Sequence, residues 1–150
     1  MQTSTEQTLR GFFDAYAARF NAALKPPYDV DTAGMTAAFA PYFVESSPVG
    51  VQGGKNGLLF RLLLPRGLAH YKAIGTTSMD IGDLQITPID GQHYMCRVHW
   101  DSRYVRVSDD TAQRIEFDNI YFVRVGDEGP KIFAFITGDE EAVLKQHGLV

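Results

Sequence analysis

Near residue 74 the hydrophobic pattern of this 150-residue chain changes its period, and no other feature restricts the fold so strongly. Before that point apolar residues recur every three or four positions, the spacing of a helix face. After it they alternate, the spacing of a strand. In the first segment Leu9, Phe12, Phe13, Tyr16, Phe20 and Leu24 form one stripe, opened by a Ser4–Gln7 capping box and stopped at Pro26-Pro27. A second short helix is expected after Asp31, with Met35, Ala38, Phe39 and Tyr42 on its buried side and Pro41 near its end. A third, capped by Asn56, carries Leu59, Phe60, Leu63 and Leu64. Pro65 and Gly67 interrupt it, which leaves "LAHYK" as a final turn.

The second segment predicts strands over 74–81, 84–89, 93–107, 113–125 and 131–137. Asp90-Gly91 signals a tight hairpin turn, and "SDDTA" and "GDEGP" signal two longer ones. Asp139 and Gly148 delimit a short C-terminal helix. Helices first and hairpin-linked strands after predict an α+β fold, with three N-terminal helices packed on one face of an antiparallel sheet, in a single domain over 1–150. Alternation divides the two long strands into faces. Tyr94, Cys96, Val98, Trp100, Ser102 and Tyr104 join Ile115, Phe117, Asn119, Tyr121 and Val123 toward the helices. The opposite face collects Arg97, His99, Asp101, Arg103, Glu116 and Asp118, charges able to pair across strands. It also holds Met95, Ile120 and Phe122, an apolar set that a symmetric homodimer contact would cover.

Composition narrows the function classes. A net charge of −4 without a basic run argues against nucleic acid as a partner. Cys96 is the only cysteine, so neither an intrachain disulfide nor a cysteine-based zinc site is available. The histidines have no metal-ligand spacing, and no metal or cofactor is expected. No apolar run approaches the roughly 20 residues that span a bilayer, and "MQTSTEQTLR" lacks the regions of a signal peptide. The expectation is a cytoplasmic protein without a membrane partner. "GVQGGKNG" has glycines before a helix, but Lys55 is followed by Asn56 and the spacing of a phosphate-binding loop is absent.

His99 and Asp101 could form an acid–base pair, yet both fall on the charged face, where interface hydrogen bonding is the plainer expectation. Tyr16, Trp100, Tyr104, Tyr121 and Asn119 carry polar groups on faces expected to be apolar. A buried hydroxyl or amide without a partner costs a few kcal/mol. These groups therefore either satisfy one another or point into a cavity and bind a ligand.

"FDAYAARFNA", "MTAAFAPYFVESSPVG" and "FDNIYFVRV" with the following turn and "KI" resemble the nuclear transport factor 2-like superfamily, which includes ketosteroid isomerases and polyketide cyclases. The resemblance covers nearly the whole chain. It implies a cone-shaped fold, in which the concave face of a curved antiparallel sheet wraps three helices around an apolar pocket, and a homodimer formed through the outer sheet face. In the isomerases an Asp base, a Tyr donor and a protonated acid act together. Tyr16 matches the Tyr donor and keeps the spacing to a following Asn, here Asn21. The base position, directly before "PVG", is Ser47, and the protonated acid falls near Asn119. A serine without an adjacent base is a poor proton acceptor. In an extended segment Glu45 points the same way as Ser47 and could supply the missing carboxylate.

The resemblance thus implies roles for Tyr16 and Asn119 as oxyanion donors, with Glu45 the candidate for a displaced catalytic base. It implies a ligand pocket that also includes Phe20, Phe39, Ser47, Phe60, Trp100, Tyr104, Phe117 and Tyr121. Two functions remain open at this point. One is a cofactor-independent isomerase, cyclase or dehydratase acting on a small hydrophobic carbonyl compound. The other is a non-catalytic ligand-binding or assembly domain.

Overall fold

The structure is a computed structural model that describes residues 3–150; Met1 and Gln2, which begin the N-terminal stretch read above, lie outside the described residues. Helix α1 (Ser4–Leu24) carries the apolar stripe, with Leu9, Phe13, Ala17, Ala23 and Leu24 buried. Its cap is Thr3 rather than Ser4: the Thr3 side chain accepts from the Glu6 amide at 3.1 Å, and Ser4 is already helical. Helix α2 (Thr32–Ala37) starts as expected at Asp31, whose carboxylate accepts from the Gly34 amide at 2.9 Å.

The chain then departs from the expected helix. Residues 39–47 form strand β1 (Phe39–Ser47) and pair with β2 (Gly50–Lys55) as an antiparallel hairpin. Phe39 is buried, whereas Tyr42, expected on a buried helix side, is 69% exposed. The hairpin turns at Pro48-Val49, with the fixed φ of Pro48 at the first central position and Gly50 at φ +131° leading back into the ladder. Pro41 has no N–H to give, and it lies in the stretch where the ladder between β1 and its other neighbour shifts register.

Helix α3 (Leu58–Ala73) runs unbroken through Pro65 and Gly67, against the expected interruption. Tertiary packing holds both halves. Phe60 meets Phe39 and Phe43 at ring separations of 5.4 and 4.9 Å, and Tyr71 meets Phe20 at 5.4 Å. Asn56 is not its cap; its amide donates to the carbonyls of Thr36 and Phe39 and ties the hairpin to α2. Gly75 then turns the chain at φ +95°, where a Cβ would come within 2.0 Å of the Val105 carbonyl oxygen.

The remaining strands are β3 (Thr76–Pro88), β4 (His93–Val105), β5 (Ala112–Gly126) and β6 (Gly129–Ile136), followed by α4 (Glu140–Gln146). The two strands expected over 74–89 are one strand, because its pairing with β4 shifts register between Ile81 and Asp83 and the bulge breaks the alternation. Asp90-Gly91 does not make a two-residue turn. The loop spans 89–92, and the Asp90 carboxylate accepts from the amides of Gln92 and His93, both at 2.8 Å. The tight turn is instead Asp127-Glu128, between the paired residues Gly126 and Gly129.

The sheet has the order β2-β1-β6-β5-β4-β3 and is mixed, since β1 and β6 are parallel. The antiparallel expectation failed because the early hairpin joins the edge of a sheet made by the end of the chain. The face assignment for β4 and β5 agrees with burial. Tyr94, Cys96, Val98, Trp100, Tyr121 and Val123 pack with Leu9, Phe13 and Ala17 of α1 in the main core. Asn21 pins α1 to β3 twice, donating to the Met79 carbonyl and accepting from the Met79 amide, each at 2.8 Å. Among the described residues no helix is long and apolar enough to cross a membrane.

Candidate functional site

Between α1, the inner sheet face and α4 the chain leaves a cavity of about 310 Å³. Strand alternation directs Trp100 and Tyr104 of β4, and Phe117, Asn119 and Tyr121 of β5, into its wall. Tyr16 and Phe20 reach it from α1, four residues apart and so on one side of the helix. Glu45 reaches it from β1. Eight of the eleven residues expected at the site therefore line one space. Phe39 and Phe60 do not; they line a second cavity of about 200 Å³ beneath α3, which shares Tyr16, Phe20 and Tyr71 with the first. Ser47 lines neither, and its hydroxyl accepts from the Val49 amide at 3.3 Å inside the hairpin turn.

The polar centre of the larger of these two cavities is the Tyr121 hydroxyl. It accepts from Trp100 Nε1 at 3.2 Å and from Asn119 Nδ2 at 3.3 Å. Both are obligate donors, so they occupy the two acceptor positions of the phenol oxygen. The Tyr16 ring stands beside the same group, its centroid 6.0 Å from that of Tyr121. With its acceptor positions taken, the Tyr121 hydroxyl keeps its own proton to donate, and the Tyr16 hydroxyl supplies a second phenolic proton at the same cavity. Burial first, and then the neighbouring Tyr121, holds the Tyr16 phenol well above its ordinary pKa. Burial likewise raises Tyr121. Both remain neutral donors at ordinary pH.

Asn119 gives one of its two amide N–H groups to Tyr121 and keeps the second, and its Oδ1 is buried with no hydrogen-bond partner. Glu45 is half-buried; burial, and then the charge of Glu140, raises its carboxyl pKa. Its carboxylate is therefore more basic than an ordinary surface Glu. Glu140, in the first turn of α4, in turn accepts from the Tyr71 hydroxyl, so α4 is latched to α3 across the cavity. Val143 and Leu144 close that end.

Tyr71 and Glu140 were not expected at the site. Tyr71 was legible as the continuation of the Phe60, Leu64, Leu68 stripe, had Pro65 not suggested a break. Glu140 carried no comparable signal. Among the lining residues there are four carboxylates, Glu45, Glu116, Asp139 and Glu140, and no Lys, Arg or His, which disfavours an anionic ligand. Among the described residues no group of three His, Cys, Asp or Glu side chains stands close enough to hold a metal ion.

His99 and Asp101 lie on the other face of the sheet. His99 bridges Asp118 (Nδ1, 2.7 Å) and Glu116 (Nε2, 3.2 Å), while Asp101 binds Arg114 and Arg103. Their partners lie on β5, apart from Arg103 of β4 itself, and the two do not pair with each other. Of the expected charge pairs, Arg97 does meet Asp118, at 3.3 Å.

No family model matches the sequence, and no curated protein matches it. Solved structures do. The chain is similar to a nuclear transport factor 2-like protein with a cystatin-like fold from Novosphingobium aromaticivorans, with a TM-score of 0.66, 12% identity, and coverage of 96% of this chain and 87% of that one. It is similar to a ketosteroid isomerase-like protein from Erwinia carotovora atroseptica, with a TM-score of 0.64, 11% identity, and coverage of 91% and 97%. A nuclear transport factor 2-like superfamily protein from Salmonella enterica gives 0.63, 12%, and 89% of both chains. The chain has the nuclear transport factor 2-like, cystatin-like fold, as the resemblance implied.

Proposed function

We propose that this chain binds a small, neutral, largely apolar carbonyl compound in the larger cavity and exchanges a proton with it, without a cofactor. The observation that carries this reading is the convergence of Trp100 and Asn119 on the Tyr121 hydroxyl, beside the Tyr16 ring, inside an aromatic-walled cavity that Glu45 also lines. A phenolic proton directed at the carbonyl oxygen stabilises the charge that develops there when a neighbouring C–H is deprotonated. Glu45, with its raised pKa, is the carboxylate placed to take that proton and return it to a different carbon. The cycle is an isomerase- or lyase-type reaction in which the proton inventory closes. Fold similarity to an isomerase-like protein is consistent with this chemistry but does not select it.

A direct test follows deuterium incorporation from D2O into the α-carbons of 2-tetralone, a neutral bicyclic ketone, by NMR. Glu45→Gln is expected to slow exchange by about 100-fold or more, with affinity unchanged. Exchange at the wild-type rate in Glu45→Gln would overturn Glu45 as the base, and no acceleration of exchange by the wild type would leave only the second reading, a non-catalytic ligand-binding domain. That reading has its own support: the position before Pro48 is Ser47, and it is turned away into the hairpin.

We also propose that two copies associate through the outer sheet face. Register places Val44, Ala134, Phe122 and Met95 in one row across four strands, with Ile136 and Ile120 in the adjacent row. Such a row of apolar side chains on an open sheet face is suited to an isologous contact. The expected location is cytoplasmic, and the expected interior of the fold is the concave side of a curved sheet.

A further inference from the structure

Helix α3 is apolar on two sides, and only one of them is covered. Phe60, Leu64, Leu68 and Tyr71 form the inner side; Phe60 packs on Phe39 and Phe43, and Leu64 and Leu68 join Met35 and Ala23. The outer side begins with Leu58, Leu59, Leu62 and Leu63, which are 66%, 69%, 58% and 49% exposed. Four leucines over two helical turns at that exposure are more than an isolated surface residue, and something of matching chemistry covers them.

Charge identifies the chemistry. The segment from Ser46 to Met79 holds four of the chain's 14 Lys and Arg and none of its 18 Asp and Glu, in a protein of net charge −4. The four are Lys55, Arg61, Arg66 and Lys72, and all are exposed. Of the other ten, Arg19, Arg97, Arg103, Arg106, Arg114 and Lys145 each hold a carboxylate, and among the described residues Arg10, Lys25, Arg124 and Lys131 do not. Among the described residues none of Lys55, Arg61, Arg66 and Lys72 is so paired; Lys72 instead sits 3.5 Å over the Tyr28 ring. Open leucines interleaved with unpaired cations, and no acid within the segment, form the pattern of a helix lying in a lipid–water interface.

We propose that the outer side of α3 docks on an anionic lipid surface, with Leu58, Leu59, Leu62 and Leu63 entering the acyl boundary and Lys55, Arg61 and Arg66 meeting the headgroups. The expectation of no membrane partner came from a search for a spanning segment, and a helix lying on a bilayer needs none. The inner side of the same helix roofs the smaller cavity through Phe60, Leu64 and Leu68, and that cavity shares Tyr16, Phe20 and Tyr71 with the larger one. An apolar ligand dissolved in lipid therefore has an apolar route to the site. This last link rests on the pocket reading above; the docking itself does not, and it is measured without ligand.

The experiment is cosedimentation of the ligand-free protein with vesicles of phosphatidylcholine alone and of phosphatidylcholine mixed with phosphatidylglycerol. Binding is expected to the mixed vesicles only and to weaken as salt is raised. Leu59→Gln/Leu63→Gln and Arg61→Glu/Arg66→Glu are each expected to weaken it by roughly tenfold or more. Both pairs are exposed, so the urea midpoint and helical signal should match the wild type, which separates lost docking from lost folding. No binding of the wild type to mixed vesicles overturns the proposal. So does wild-type binding by the leucine variant. Sedimentation velocity distinguishes the competing occupant: if Leu59→Gln/Leu63→Gln converts a dimer into a monomer, the leucines are covered by a second copy and the proposal falls.

Discussion

The two faces of strands β4 and β5 share one backbone and differ in almost everything else. On the inner face polar atoms are few and mostly buried: Trp100 and Asn119 address the Tyr121 hydroxyl, and Ser102 donates to the Ile115 carbonyl. On the outer face polar groups are many and exposed: Arg97, His99, Asp101, Arg114, Glu116 and Asp118 form a chain of ion pairs. In a dry environment a single unmatched group is costly, so geometry there is tightly determined. In water each exposed pair is worth little, and the same number of contacts constrains much less. Function that needs fixed geometry belongs on the inner face; the pH response, and the association proposed above, belong on the outer one.

The sharpest way to break this contrast is truncation on each face. Phe13, fully buried against Tyr16 and Tyr121, should cost about 3–5 kcal/mol as Phe13→Ala in urea denaturation. Phe122→Arg, half-buried on the outer face, should leave the monomer's stability within about 1 kcal/mol and convert a dimer into a monomer by sedimentation. Comparable losses of monomer stability from both changes would erase the distinction.

A smaller effect separates binding from folding. Asn119 leaves its Oδ1 buried and unpartnered, a cost that an apolar side chain of similar shape removes. Asn119→Leu is expected to keep or raise the urea midpoint while weakening 2-tetralone by about three- to tenfold, through the lost support of Tyr121. A lowered midpoint with unchanged affinity would assign Asn119 to the core instead.

The smallest effect lies on the outer face and depends on pH. Hydrogen bonds to Asp118 and then Glu116 raise the His99 pKa above 6.5. A raised folded-state value means that the bound proton favours the fold. The contribution is fully present below the unfolded value of about 6.5 and is lost as pH rises through the folded one. Wild type should lose a little stability over that window relative to His99→Gln, whose urea midpoint should follow pH less. Parallel profiles would show that the bridge contributes nothing.

Much of this was legible from residue order. The helix stripe from Leu9 to Leu24 and the alternation along β4 and β5 fix which side chains meet, because burial of one face tolerates no slip in register. That is why Tyr16, Trp100, Asn119 and Tyr121 could be placed together in advance. The hairpin of β1 and β2 was hidden. Phe39 and Tyr42 mimic helical spacing, and Gly50, Gly53 and Gly54 give β2 no strand propensity of its own. Its structure comes from pairing with β1, a long-range effect that local pattern does not carry. Pro65 misled in the opposite direction, since packing of Phe60 and Tyr71 outweighs the lost helical hydrogen bond. Residue types alone suggested Asn119 as a donor to ligand; only the geometry shows its amide turned to Tyr121.

The central claim is that the inner face holds a ligand through the phenolic protons of Tyr16 and Tyr121. Titration calorimetry of 2-tetralone with wild type, Tyr16→Phe and Phe122→Ala tests it most directly. The expected result is measurable binding to wild type, about tenfold weaker binding to Tyr16→Phe, and binding to Phe122→Ala within about twofold of wild type. No binding to wild type, or equal affinities for wild type and Tyr16→Phe, would contradict the account.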